Sequence, residues 1–188
     1  MTPQDAERMV RQRVGRRLYE HCRGVAATCA ELAGLWGAPV VEAEVAGWLH
    51  DYCKEWTAEE LLSRAEELGL SVDPVERLRP VQLLHAGVAA AELAAVGVPA
   101  SVCAAIRRHT VGGSGMSVLE RCLYVADAVE PGRRYDGVED ARQLSRRSLD
   151  DAVAWCARRT LMRLVERGRP IHPATVALYN EACVARGG

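Results

Sequence analysis

Trp48-Leu49-His50-Asp51-Tyr52-Cys53-Lys54 closes an apolar segment with a histidine, an aspartate and a lysine. Val45 and Leu49 form the apolar stripe of that segment at helical spacing. His50 and Asp51 fall to one side of it, above Ala43, Ala46 and Gly47. Small residues one turn back let a second helix come close, so the polar pair faces an interhelical cavity. There it would cap the helix, satisfy a core hydrogen bond or hold a metal. The other histidines decide among these.

At about 100° per residue, His21 aligns with Val25, Cys29 and Leu32, and His85 with Val81 and Val88. His109 follows Val102 and Ile106 on one face, while Arg107 and Arg108 point elsewhere. Asp127 continues the apolar face of Leu119 and Leu123, and Glu130 adds a second carboxylate one turn on. A carboxylate in an apolar stripe is costly unless paired, hydrogen-bonded or coordinated, and two on one side attract a cation. Taken singly, each residue has a plainer reading. A lone inward histidine is more often a satisfied core residue than a ligand, a His-Asp dipeptide is a weak signal, and Asp127 could bond a neighbouring Arg or Tyr. Taken together, the four histidines His21, His50, His85 and His109 and the two aspartates Asp51 and Asp127 would each need a buried partner, whereas shared ions satisfy all six. Nitrogen-rich, sulfur-free ligation with carboxylates suits iron, manganese, cobalt or zinc. Six donors exceed what one open site needs, but suit two ions about 3.5–4 Å apart bridged by one aspartate. That arrangement fits hydrolysis of phosphoesters or phosphoanhydrides.

Composition is consistent with such an enzyme. The 188 residues suit one domain over 1–188, with 49% apolar and 26% charged residues, and a core built without phenylalanine. A net charge of −1 gives no global pull toward nucleic acid or membrane. No apolar run is long enough to span a bilayer, and the charged N-terminus lacks the apolar core of a signal peptide. The expected location is therefore cytoplasmic. The seven cysteines form no C-x-x-C pair, which argues against a disulfide framework or thiolate zinc site. They read mainly as small apolar fillers.

Ala, Leu, Glu and Arg dominate, and the pattern predicts an all-α bundle. Helices are expected at 3–19, 21–36, 40–53, 57–69, 80–96, 99–110, 116–129, 137–147, 149–168 and 173–186. Thr57 and Glu60 read as a capping box.

A phosphate site also needs cations and donors. Lys54 shares a helix face with Asp51, and Arg133, in the turn after Asp127, is placed to reach back over the site. The plainer alternatives are a solvated helix-end lysine and a surface turn. Thr110 either donates its hydroxyl to a phosphate or caps its helix. His172, before Pro173, reads as a helix-start residue at the pocket mouth. Trp56, near Lys54, is placed to touch a base, with Trp36, Trp48 and Trp155 in the core. The basic runs lie among acidic neighbours and read as solvated faces, not as a nucleic-acid track.

The order His21, His50-Asp51, His85, His109, Asp127 resembles the HD-domain metal-dependent phosphohydrolases. The segments HCRGVA, LHDYCKE, LLHAGVAA, IRRHTVG, GMSVLERCLYVADAVEPGR and GRPIHPATVALYN, spread over about residues 17–180, resemble more closely the YqeK family of symmetrical diadenosine tetraphosphate hydrolases. The resemblance implies a helical HD bundle. It implies one metal on His21, His50, Asp51 and Asp127, with Asp51 bridging to a second on His85 and His109. The ions would be iron first, with manganese, cobalt or zinc as alternatives. A metal-bound hydroxide would attack a central phosphorus and yield two ADP, with Asp51, Lys54 and Arg133 as catalytic residues. Lys54, Arg133 and Thr110 would contact the substrate. One departure is that VGGSG, residues 111–115, lacks the arginine that commonly follows Thr-x-Gly; Arg107, Arg108 and Arg134 are the candidates to substitute for it. Apolar positions on the last helices would allow a homodimer. Two other readings remain: an HD phosphohydrolase for another nucleotide or a cyclic dinucleotide, and a non-catalytic helical module with a structural metal.

Overall fold

The computed structural model describes residues 1–185, and among these it contains helices and no strand. The chain runs through α1 (Pro3–Arg11), α2 (Arg16–Trp36), α3 (Val40–Leu49), α4 (Ala58–Glu67), α5 (Pro74–Leu78), α6 (Pro80–Ala95), α7 (Ala100–Arg108), α8 (Val118–Val129), α9 (Val138–Arg147), α10 (Leu149–Glu166) and α11 (Pro173–Val184). The last expected helical residue, 186, lies outside the described residues.

Local sequence explains most boundaries. Thr57 accepts the Glu60 N–H while Glu60 returns a carboxylate to the Thr57 N–H, the reciprocal cap expected there. Ser117 and Glu120 repeat it at the start of α8. Two expectations fail. The helix expected over 3–19 is broken, because Gly15 is the N-cap of α2 and its N–H donates to Glu55 at 2.9 Å. The helix expected over 40–53 stops at Leu49. Three-residue turns then carry the chain on, with the Tyr52 N–H on Leu49 O and the Lys54 N–H on Asp51 O. The short α5, led by Asp73 and Pro74, was not expected from the pattern.

Helices α2, α3, α6, α7 and α8 form the centre, where α2 packs on α3 and α8, and α7 on α3, α6 and α8. Alanines, valines and leucines fill it, among them Ala26, Leu32, Ala46, Leu49, Leu93 and Leu123. The α2–α3 contact is closest at Gly47, where a Cβ would lie 2.4 Å from Ala26 Cα. Only glycine permits that approach. Helix α10 leans on α8, α9 and α11, closing one side of the bundle.

Candidate metal centre

His21 lies in α2, His85 in α6 and Asp127 in α8, while His50 and His109 are the C-caps of α3 and α7. Asp51 follows His50 in the turn. The two capping histidines use one device twice. His50 Nδ1–H donates to Gly47 O at 2.8 Å, and His109 Nδ1–H to Ile106 O at 2.7 Å. Carbonyls at a helix end lack partners within the helix. Each imidazole satisfies one and thereby fixes its own tautomer, which leaves Nε2 as a bare lone pair aimed inward. His21 reaches the same state through a carboxylate, its Nδ1 donating to Glu130 Oε1 at 3.2 Å. His85 differs: its buried Nδ1 has no partner.

The inward atoms converge in two triangles. His21 Nε2 is 3.0 Å from Asp127 Oδ1 and 3.2 Å from His50 Nε2, and His50 Nε2 is 3.8 Å from Asp127 Oδ1. His85 Nε2 is 2.9 Å from Asp51 Oδ1 and 3.4 Å from His109 Nε2, and His109 Nε2 is 3.4 Å from Asp51 Oδ1. Asp51 spans both, because its other oxygen, Oδ2, is 3.5 Å from His50 Nε2 and 3.9 Å from His21 Nε2. Donors bound at about 2.1 Å to one ion stand roughly 3.0–3.5 Å apart. The triangles have close to these edges. With Nδ1 donating in both rings, the neutral tautomers of His21 and His50 turn Nε2 lone pairs toward each other, an arrangement that a cation between them satisfies. Asp51 Oδ1 is buried yet receives no well-directed hydrogen bond. The residues therefore fit a pair of metal ions.

Electrostatics point the same way at Asp51, Asp127, His85 and His109. Burial opposes ionisation of Asp51, but His50, His109 and His85 outweigh it and hold the carboxyl well below its usual value. Asp127 is likewise held low against burial, by His21 and then Arg133. Burial pushes His85 down to about 4 and also lowers His109. Neutral imidazoles and ionised carboxylates are the forms that bind metals. His50 is raised, its burial outweighed by Asp51 and Asp127.

Around this centre, Lys54 Nζ is 3.5 Å from Asp51 Oδ1 and 3.2 Å from His85 Nε2. The turn at Pro131-Gly132 returns Arg133, whose guanidinium donates to the Asp127 carboxylate and, through Nε, to Asp127 O at 2.7 Å. Thr110 Oγ1 is buried without a partner beside a cavity of about 500 Å³ that reaches His109 and Asp127. His172 caps α11, accepting the Ala174 N–H, and lines the same cavity.

Several expectations need correction. Glu130 does not face a cation beside Asp127; it sits behind His21, in a space kept open by Gly24 and Gly132, and accepts the Gly132 N–H. Trp56 packs against Arg13 and lies away from the centre, whereas Trp155 lines the cavity. Arg107 and Arg108 line no cavity at the centre, and Arg108 bonds Ser114 O and pairs with Glu120; Arg134 bonds Pro131 O and lines a second cavity that also reaches His21, Asp51 and Arg133. Most of the cysteines, by contrast, are the buried fillers expected, and burial pushes the Cys53, Cys122 and Cys156 thiols up to about 12, which makes them poor nucleophiles. The sequence reading missed four further arginines at the first cavity, Arg79 and the α10 set Arg159, Arg163 and Arg167, the last three spaced by four residues. That spacing was the available signal.

Residues 18–132 match the HD domain family model. A symmetrical bis(5'-nucleosyl)-tetraphosphatase of Bacillus subtilis is 33% identical over 96% of this chain and 97% of its own. One from Halalkalibacterium halodurans is 34% identical over 94% of each, and one from Staphylococcus aureus 28% identical over 96% of this chain and 94% of its own. Among solved structures, a predicted HD superfamily hydrolase involved in NAD metabolism from Clostridium acetobutylicum superposes with a TM-score of 0.91, at 26% identity, over 98% of both chains. With this fold and this arrangement of histidines and aspartates, the chain belongs to the HD domain family, in the branch represented by the symmetrical bis(5'-nucleosyl)-tetraphosphatases.

Proposed function

We propose that this chain hydrolyses diadenosine tetraphosphate and related dinucleoside polyphosphates at the middle of the phosphate chain, giving two ADP. The observation that carries the reading is Asp51, with one oxygen toward His85 and His109 and the other toward His21 and His50. His21, His50, Asp51 and Asp127 would hold one ion, and Asp51, His85 and His109 the second. Iron is the first candidate, and manganese, cobalt and zinc suit the same donors. When bound, such a pair acidifies water and draws charge from phosphoryl oxygens.

The protein's own groups do the rest. A water oxygen bonds to one central phosphorus and gives up a proton to solvent, the central anhydride P–O bond opens, and the other ADP leaves with the bridging oxygen. Lys54, beside Asp51, offsets charge on the reacting phosphates and on the leaving diphosphate. Arg133 holds Asp127 in place and presents the rest of its guanidinium to the polyphosphate. Thr110 Oγ1, with no protein partner, donates to a phosphate oxygen. Met162, Val165 and Val176 are exposed on α10 and α11, which supports a homodimer through that face. Among the described residues no helix is long and apolar enough to cross a membrane.

The test is product analysis. The metal-loaded protein is incubated with diadenosine tetraphosphate and the nucleotides are separated by ion exchange. ADP as sole product is expected. AMP with ATP would mean a cut one anhydride from the middle. No turnover with both ions bound would move the reading to another phosphorylated substrate.

A further inference from the structure

Two cavities open onto the centre, and they share Lys54, Asp127, Arg133 and Tyr135. Their charges differ. The larger, about 1300 Å³, is lined by equal numbers of basic and acidic side chains. The smaller, about 500 Å³, is lined by Lys54, Arg79, Arg133, Arg159, Arg163 and Arg167 against one carboxylate, Asp127. Asp127 is already engaged by Arg133 and His21.

The far wall of the smaller cavity is an arginine row. Arg159 and Arg163 stand four residues apart on α10, and Arg167 caps the same helix. Residues at that spacing are neighbours on a helix, and like charges there repel. The negative end of the helix compensates such charges only over the last turn, which reaches Arg163 and Arg167 but not Arg159. Arg79, from the junction of α5 and α6, joins the wall although 80 residues separate it from Arg159 in the chain. No carboxylate of the described residues forms an ion pair with any of the four. Arg79 Nε donates to Gln82, and Arg159 lies 3.7 Å from the centre of the Tyr135 ring. Partial burial, then Arg159, Arg167 and Arg133, hold the Arg163 guanidinium below its ordinary value. A solvated basic face carries interspersed acids; this wall, although Arg163 and Arg167 are exposed, lines a cavity without an acid of its own and leads to Lys54 and Arg133 beside the reacting phosphates.

We propose that Arg79, Arg159, Arg163 and Arg167 form a diphosphate subsite that seats one nucleoside diphosphate half of the substrate and retains that half after the cut. This rests on the function proposed above and assigns it a direction. The site is unsymmetrical although its products are identical. The half in the basic cavity sets which anhydride lies over the metals, and the half in the neutral cavity leaves first.

The experiment compares the wild-type protein with R163Q/R167Q and with R158Q, an exposed arginine of α10 outside both cavities. Calorimetric titration with ADP, AMP and inorganic pyrophosphate is paired with steady-state hydrolysis, metal content and melting temperature. The wild type and R158Q should bind ADP and pyrophosphate more tightly than AMP. R163Q/R167Q should bind ADP about tenfold or more weakly and show a similarly raised KM, with kcat, metal content and melting temperature kept. The gap should narrow as salt rises. Wild-type ADP affinity and KM in R163Q/R167Q would overturn the subsite while leaving the activity standing. Failure of the wild type to cleave the tetraphosphate would overturn the activity itself, and the ADP titration would still report on the wall.

Discussion

His21 Nδ1 donates to Glu130 Oε1 at 3.2 Å, whereas His50 and His109 orient their rings on main-chain carbonyls. His21 is therefore the one histidine of the centre whose tautomer depends on a replaceable side chain. Glu130→Gln should weaken metal binding at the His21 position about 10- to 100-fold while sparing the His85–His109 position. Metal titration followed by stoichiometry checks this; equal loss of both ions, or of neither, would contradict it. Gly24→Ala should act similarly, because a Cβ there would lie 2.5 Å from Glu130 Oε2.

Asp51→Ala removes the one group that faces both histidine pairs. It should lower bound metal from two ions to less than one and abolish turnover. Asp127→Ala, which touches only the first triangle, should leave one ion. Mass spectrometry of native protein distinguishes the two variants, and two ions retained by Asp51→Ala would end the bridging assignment.

Lys54 touches Asp51 and His85 but is not placed as a ligand. Lys54→Ala should slow hydrolysis about a hundredfold with metal content unchanged. Wild-type rates in that variant would remove Lys54 from the chemistry.

Gly47→Ala pushes α3 away from α2. Its Cβ would meet Ala26 main-chain atoms at 2.4 and 2.7 Å, which no side-chain rotation relieves. A stability loss of about 1–3 kcal/mol is expected from overpacking, read by urea denaturation. Metal affinity should fall with it, since His21 and His50 ride on these two helices.

The centre was legible in the sequence because helical periodicity fixes which side of a helix a residue occupies. His21, His85 and Asp127 needed only that, together with apolar neighbours to mark the inward face. His50 and His109 sit at helix ends, where the wheel still applies for one more residue. Glu130 was misread because face alone does not say whether a carboxylate lies in front of a histidine or behind it; Gly24 and Gly132, distant in sequence, decide that. The arginines of α10 were missed for a related reason. A row of cations on a helix looks solvated until the opposite wall is known, and that wall comes from Arg79 and the α8–α9 turn. The break at Gly15 depends on Glu55, forty residues away, a partner no local pattern names.

The glycine at 47 has one more implication. Main chain rests on main chain there, and backbone contacts are the least compliant in a folded protein. The separation of α2 and α3 at this point is thus set by bond lengths and atomic radii, while the rings of His21 and His50 are aimed by Glu130 Oε1 and Gly47 O. The spacing of the two helices that carry His21 and His50 is therefore in place before anything occupies the site. Loading it should be fast and nearly isostructural, and ions of different radius should be sorted by how well they tolerate a fixed span, not accommodated by the protein stretching to meet them.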